Sequence, residues 1–477
     1  MLQRTLDCTR VMKRTYLAVF VFALLLRGGA LAPNPTPDAA EYQMLARSLA
    51  RGEGFVLPVR VRHDETGPVR HDARRERAPL LPLVLAPFEP LDRDPRTVAP
   101  ALQGVNAVIA ALSCVLVASI ARRRASRRVA VAAGLLAAVS PPLLVTSTKI
   151  LAEPLGLLLI LAAIRVEDGP ALQGVALGLA RLARPESVVA LVLVALREKR
   201  RIVPLLGFAA VTALALAAGV ATQQSFLLHV GNFRDVMFAA KGPLPPGTYA
   251  LEHPGATALA ILKNAGDLGY FALRYAYAVP VLGLCALLKR DRIAIVAFAL
   301  ALGAACVWST RDHERFLVAP LALLCIPAAI TARRCLGARG LEALVVGTVL
   351  LSVLQFDAKN TRNAFSERDR GVWTVPDALA GRLRALGPDE AFAAVSPWSL
   401  SLASGRDGLL LPTELSGDEL ASFLAARPEV KLVVLRSVPH DAVTAEPWRY
   451  ARDLASISSS ESVAGNVVLV LQTSSKK

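Results

Sequence analysis

Hydrophobic positions along the chain come in blocks. Apolar runs of spanning length recur from the N-terminus to residue 356, separated by clusters of arginine, lysine or proline. The first runs from about Tyr16 to Ala32 behind Arg10, Lys13 and Arg14. At ~1.5 Å per residue it reaches ~25 Å, enough to cross a bilayer with its flanks. Arg27 interrupts it, and Ala30-Leu31-Ala32 imitates a leader cleavage site that Pro33 would obstruct, so it is read as a retained first span with the N-terminus inside. Further spans are expected at 101–121, 129–145 and 155–166, in a short pair at 171–183 and 187–196, and at 202–221, 269–288, 293–308, 316–330 and 341–356. The basic clusters Arg122–Arg128, Arg197–Arg201 and Arg333–Arg339 all fall on one side of this scheme, the side that the positive-inside tendency makes cytoplasmic.

Beyond Phe356 the period changes. D-A-L-A-G-R-L-R-A-L and E-L-A-S-F-L-A-A-R have helical spacing, whereas A-F-A-A-V, K-L-V-V-L and N-V-V-L-V-L read as buried strands. The expected fold is therefore a polytopic all-α membrane protein of about eleven transmembrane helices with a small C-terminal α/β extracytoplasmic domain. Residues 1–356 form the membrane domain, with a long first outer loop at 33–100, and residues 357–477 form the soluble domain.

Composition agrees with this picture. Of 477 residues, 54% are hydrophobic, and the mean hydropathy of +0.46 exceeds that of ordinary soluble chains. A formal net charge of +16 would suggest nucleic acid in a soluble protein. Here most basic residues sit in short connections, where they set topology; the expected partners are membrane lipids, with no nucleic acid. None of the six cysteines falls in the large outward segments, so no disulfide framework is expected. The excess of Arg over Lys and the abundant Ala fit a bacterial coding bias, hence a multi-pass protein of the inner membrane.

The candidate chemistry starts in the first outer segment. Pro37 and Asp38 open a helix, Glu41 is placed to close a capping box, and Tyr42, Leu45, Ala46 and Leu49 share one face suited to the membrane surface. Gly52 and Gly54 end it. Asp38 thus stands where a span meets the outside, followed by many arginines and a second acid, Glu76: a place to handle a phosphate-bearing lipid. The plainer role for Asp38 is helix capping. Glu153, beside Pro154 at a span end, would cost ~2–3 kcal/mol facing lipid. It should face water or a protein cavity, either in function or paired, for instance with Lys149. Arg184, at the bend of the short pair, either snorkels or clamps phosphate through two donors. Arg315 leads from a charge run straight into a span. His63 and His71 lack a metal-ligand spacing.

In order and spacing these residues resemble the bacterial GT-C class membrane glycosyltransferases, the protein O-mannosyltransferase-like and lipid A aminoarabinose transferase-like group. The D-x-x-x-Y…A-x-x-L-x-x-G-x-G-F pattern appears as Asp38, Tyr42, Ala46, Leu49, Gly52, Gly54 and Phe55. R-E-R-A-P-L-L-P precedes the second span, S-T-K-I-L-A-E-P ends in Glu153 and Pro154, G-V-A-L-G-L-A-R-L-A-R-P ends in Arg184 and Pro185, and R-F-L-V-A-P opens with Arg315. The resemblance implies transfer of a sugar from a polyprenyl-phosphate donor to an acceptor at the outer face, with inversion. Asp38 and Glu153 would be catalytic, supported by Glu41 and Tyr42. Arg77, Arg184, Arg315 and Lys149 would hold the donor phosphate. The resemblance leaves room for a divalent metal cation, with Glu76 as a ligand. Ala39 stands where many relatives have a second acid. The competing classes are a transporter or flippase for a lipid-linked or anionic substrate, which would show internal repeats and mid-span charges, and a non-catalytic scaffold, which would tolerate loss of Asp38.

Overall fold

The computed structural model describes residues 2–28, 37–60, 69–72, 77–89, 95–166, 168–196, 202–219, 254–307, 313–356, 375–394, 396–411, 415, 417–435, 454, 458–464 and 466–471. The chain divides into two compact units, one of residues 1–31, 74–81 and 101–358 and one of residues 32–73, 82–100 and 359–477.

The first unit is helical. Its helices are α1 (Leu2–Gly28), most of α4 (Pro95–Arg124), α5 (Arg127–Ala138), α6 (Pro141–Ser147), α7 (Glu153–Arg165), α8 (Pro170–Ala183), α9 (Val192–Ala195), α10 (Ile202–Ala217), α11 (Pro254–Ala276), α12 (Ala278–Leu284), α13 (Arg292–Val307), α14 (His313–Cys335) and α15 (Gly337–Phe356). A 3₁₀ segment, Pro185–Leu191, leads into α9. Among the described residues, two helices are long and apolar enough to cross a membrane, Thr97–Arg124 and Arg315–Cys335; there are four if each of two bent pairs counts as one span. Several of the expected spans are shorter apolar helices, such as Ile202–Ala217 and Arg292–Ala305. The expected run at 129–145 is one of the bent pairs. Pro141 and Pro142 cannot continue α5, Ser140 is extended at ψ 115°, and α6 leaves at 56°.

That break explains Arg27. The guanidinium in the first apolar run is fully buried; it donates to Ala23 O at 2.7 Å, Ser147 Oγ at 2.8 Å and Ala138 O at 3.5 Å. It thereby joins α1 to the last carbonyl of α5 and to the end of α6. Small residues set the next contact. In α8, Gly174 and Gly178 face α10 so closely that an added Cβ would meet Pro204 O at 2.0 Å or Val211 Cβ at 2.8 Å. This is the small-xxx-small packing expected where helices associate in lipid.

The second unit is built on a six-stranded sheet. Its strands are β2 (Val59–Arg60), β4 (Ala391–Ala394), β5 (Asp407–Leu410), β6 (Val430–Leu435), β7 (Ser458–Val463) and β8 (Asn466–Leu471), in the order β2-β5-β4-β6-β8-β7. The first four in that order run parallel, and β8 and β7 are antiparallel. A separate two-stranded ribbon pairs β1 (Val56–Leu57) with β3 (His71–Asp72). Alternation in β4 fills two cores: Ala391 and Ala393 pack with Leu409, Leu420 and Val433, while Phe392 and Ala394 pack with Leu379, Leu400 and Leu432. The helices α16 (Asp377–Arg384), α17 (Pro397–Ser404) and α18 (Gly417–Ala425) complete the unit.

All five expected elements of the tail are present within a residue or two, A-F-A-A-V as a strand over its described residues 391–394. Helix α17 and strands β5 and β7 were not anticipated. The tail also does not close its sheet alone: its edge strand β2 comes from the first outer segment, so this unit extends beyond 357–477. Arg60, in β2 beside β5, is buried.

Candidate active site

Glu153 is the first residue of α7, where the exposed backbone N–H groups favour a negative charge. It is buried, and its partners are two arginines rather than Lys149. Arg184 Nη1 donates to Glu153 Oε1 at 2.9 Å, and Arg315 Nε donates to the same oxygen. Arg184 also pairs with Glu186, and its guanidinium lies over the Phe316 ring, 5.6 Å from the centroid. Residues from three separate stretches of sequence therefore meet on one carboxylate. Sequence reasoning had placed Glu153, Arg184 and Arg315 at span ends, and the fold joins them.

Local structure explains each position. Helix α8 is docked on α10 by its glycines and stops at Ala183, because Pro185 forces the preceding residue out of helical geometry; Arg184 is extended at φ −145°, ψ 110°. Its aliphatic stem rests on Gly156, one turn into α7, where an added Cβ would come within 3.0 Å of Arg184 Cγ. Arg315 lies in the first turn of α14, and Phe316 follows it into the core. Glu186 is a partner that the sequence reading missed, although its place in R-P-E was visible. Asn106 was missed as well. From α4 its fully buried amide donates to Lys149 O at 2.6 Å, Leu151 O at 3.1 Å and Thr146 O at 3.2 Å, pinning the turn that delivers Glu153. An isolated Asn inside a long apolar run was its only signal.

The cluster lines a cavity of about 40 Å³. Glu153 Oε2 is buried and makes no hydrogen bond among the described residues. Two guanidiniums against the two carboxylates Glu153 and Glu186 leave the group formally neutral. A further oxyanion would therefore have to share the guanidinium donors with Glu153, because displacing that buried carboxylate outright would strand its charge. Lys149 is half-buried in the turn before Glu153, and Arg77 is half-buried ahead of α3 (Leu80–Leu85). Glu76 and His63 lie outside the described residues. Among the described residues no group of three or more His, Cys, Asp or Glu side chains could hold a metal ion. At Glu153 the two guanidiniums oppose a divalent cation.

In the second unit, helix α2 (Pro37–Ala50) carries Asp38 in its first turn, half-buried. The expectation of a surface helix with one apolar face needs correction. Ala39, Ala40, Glu41, Tyr42, Gln43, Met44, Leu45 and Ala46 are all buried, and α2 packs with Phe55, Leu57, Val59 and Leu402. Nor does Glu41 serve only a capping box: its carboxylate accepts a 2.7 Å hydrogen bond from Trp398 Nε1 of α17. The C-terminus behaves as expected. Gly52, at φ 75°, donates to Leu49 O and Glu53 N donates to Ser48 O, the paired bonds of a left-handed helix stop. Behind α2, Arg47 pairs with Glu89 at 3.1 Å; burial pushes the Glu89 carboxyl up despite that arginine and the Gln43 hydrogen bond. Arg47, Arg51, Glu53, Arg70 and Arg384 line a cleft of about 350 Å³.

No family model matches the chain, and no curated protein is similar to it in sequence. Solved structures are similar in fold. ArnT from Cupriavidus metallidurans, bound to undecaprenyl phosphate, superposes with a TM-score of 0.58 at 14% identity, over 96% of this chain and 98% of that one. The archaeal oligosaccharyltransferase AglB from Archaeoglobus fulgidus, in complex with an inhibitory peptide and a dolichol-phosphate, gives 0.53 at 13% identity, over 88% of this chain and 69% of that one. The same archaeal enzyme in complex with Zn and sulfate gives 0.53 at 12% identity, over 87% and 67%. The chain shares its fold with these solved structures, in line with the GT-C resemblance of its motifs.

Proposed function

We propose that the protein transfers a sugar from a polyprenyl-phosphate donor to an acceptor hydroxyl at the outer face of the membrane, inverting the anomeric carbon. One observation carries the reading: within a GT-C fold, Arg184 and Arg315 from separate elements converge on the buried Glu153 at a helix start. The ArnT and AglB structures hold undecaprenyl phosphate and dolichol-phosphate, and a lipid phosphate is the ligand that two forked, permanently charged guanidiniums suit.

In this reaction Asp38 accepts the proton of the acceptor hydroxyl. The acceptor oxygen bonds to the anomeric carbon from the face opposite the phosphate. The bond from that carbon to the phosphate oxygen breaks, and its electron pair leaves on the lipid phosphate. Arg184 and Arg315, with Arg77 and Lys149, neutralise the charge that develops there. Glu153 orders the two guanidiniums before the donor arrives and yields them, in part, to the phosphate. Glu41 and Tyr42 hold the helix that carries Asp38. The membrane domain is read as about eleven spans with the N-terminus cytoplasmic and the α/β domain outside. A transporter would place its charges near mid-span at a repeat interface; Glu153, Arg184 and Arg315 stand at element ends.

Purified protein incubated with a panel of labelled undecaprenyl-phosphate sugars tests the proposal. The expected result is release of undecaprenyl phosphate with the label on the acceptor. Movement of intact donor across a proteoliposome membrane, with no glycosidic bond broken, would instead establish the transporter.

A further inference from the structure

The first unit has a largely apolar groove that the proposed reaction does not use. It lies between α1, α5 and α15 and has a volume of about 620 Å³. Val19, Phe22, Leu135, Val346 and Leu350 are among its walls, while Arg14 and Arg127 stand at one end. Both arginines are exposed, and neither pairs with a carboxylate among the described residues. Arg127 Nε donates to Thr15 Oγ at 2.8 Å, which holds the guanidinium at the mouth. From Arg14 to Phe22, and from Arg127 to Leu135, the helices advance roughly 12 Å, close to the hydrocarbon depth of one leaflet.

The walls are fixed without a ligand. An added Cβ on Gly134 of α5 would meet Val19 Cγ1 of α1 at 3.1 Å, and Arg27 ties the far end of α1 to the α5/α6 break. We propose that this groove binds an anionic glycerophospholipid of the surrounding bilayer, an acyl chain along its apolar walls and the headgroup phosphate on Arg14 and Arg127. Charge selects the occupant. Two unpaired guanidiniums favour a headgroup with net negative charge over a zwitterionic one, whose ammonium offsets its phosphate. The polyprenyl donor is not the occupant, because Arg127 opens α5 and Glu153 follows α6. These residues are separated by roughly 30 Å of bent helix. Under the topology expected from the sequence, the bound lipid belongs to the cytoplasmic leaflet.

The test uses the full-length protein, delipidated in detergent and given equimolar dioleoyl phosphatidylglycerol and dioleoyl phosphatidylcholine, with retained lipid read by native mass spectrometry. The glycerol lipid should be retained over the choline lipid by at least about tenfold. Arg14→Gln combined with Arg127→Gln should abolish that preference, and Val346→Trp, which fills the groove but keeps both arginines, should remove both lipids. Should the double variant fail to fold, Val346→Trp alone carries the test. Equal retention of the two lipids, an unchanged preference in the double variant, unchanged retention in Val346→Trp, or displacement of phosphatidylglycerol by undecaprenyl phosphate would each overturn the proposal. None of these readouts depends on sugar transfer.

Discussion

Glu153 and Glu89 are both buried carboxylates, and their surroundings give them opposite prospects. Glu153 shares one oxygen between two half-buried guanidiniums, so removing its side chain would break both contacts while Arg184 keeps Glu186, a loss of at most about 3–5 kcal/mol for a broken buried pair. Glu153→Gln keeps the shape and removes the charge that competes with phosphate. Turnover should fall at least about tenfold while inhibition by undecaprenyl phosphate strengthens, measured as kcat and as the product inhibition constant. Wild-type values for both would leave Glu153 as a structural pair only. Asp38→Asn should cost at least ~10²-fold in transfer rate with the melting temperature nearly unchanged, since the base is lost and the size is kept. Full turnover in that variant would return Asp38 to helix capping. Glu89 and Asp407 lead to a pH prediction. Burial raises both carboxyls, more than Arg47 or Arg70 lowers them. Their contribution to stability is therefore fully present below the unfolded carboxyl pKa of ~4 and is lost as pH rises through the raised folded values. The melting temperature should decline from about pH 4 towards neutrality, and Glu89→Gln should flatten that decline. A slope that Glu89→Gln leaves untouched would assign it to other groups.

At the scale of elements, the arginines work only if the helices that carry them are held. Gly174 and Gly178 let α8 dock on α10, and Gly156 leaves room on α7 for the Arg184 stem. Gly156→Val should push that stem away and reproduce much of the donor-binding loss of Arg184→Ala. Arg123→Ala, whose exposed side chain pairs with Asp168 at 3.5 Å, should change donor use only slightly and mainly at low salt. Donor titrations on the three variants measure this. Similar, salt-sensitive losses in all three would mean a diffuse basic surface and remove the phosphate clamp. The G-x-x-x-G-L-A-R-L-A-R-P stretch thus does two jobs, helix packing first and delivery of Arg184 at its end.

For the whole molecule, the basic clusters remain the guide to sidedness. Ser126 precedes α5 amid the Arg122–Arg128 cluster, and Ser459 lies in β7. In intact cells a membrane-impermeant thiol reagent should label Ser459→Cys and leave Ser126→Cys unlabelled. The reverse pattern would invert the topology.

The sequence alone carried everything that depends on local composition and period. Apolar runs marked helices of the first unit, short apolar runs marked β4, β6 and β8, and Pro185 marked the end of α8. Prolines 141 and 142 were read as the end of a span, but whether they bent or stopped it was not legible, since that depends on what receives the freed carbonyls. Arg27 answers this from another helix. The span-end charges Glu153, Arg184 and Arg315 were visible one by one, because a charge beside an apolar run is locally anomalous. Their meeting on a single oxygen, the arrest of the Glu153 turn by Asn106, and the crossing of β2 into a sheet built mostly from the tail join residues far apart in the chain. Only packing brings such residues together, and no local pattern records it.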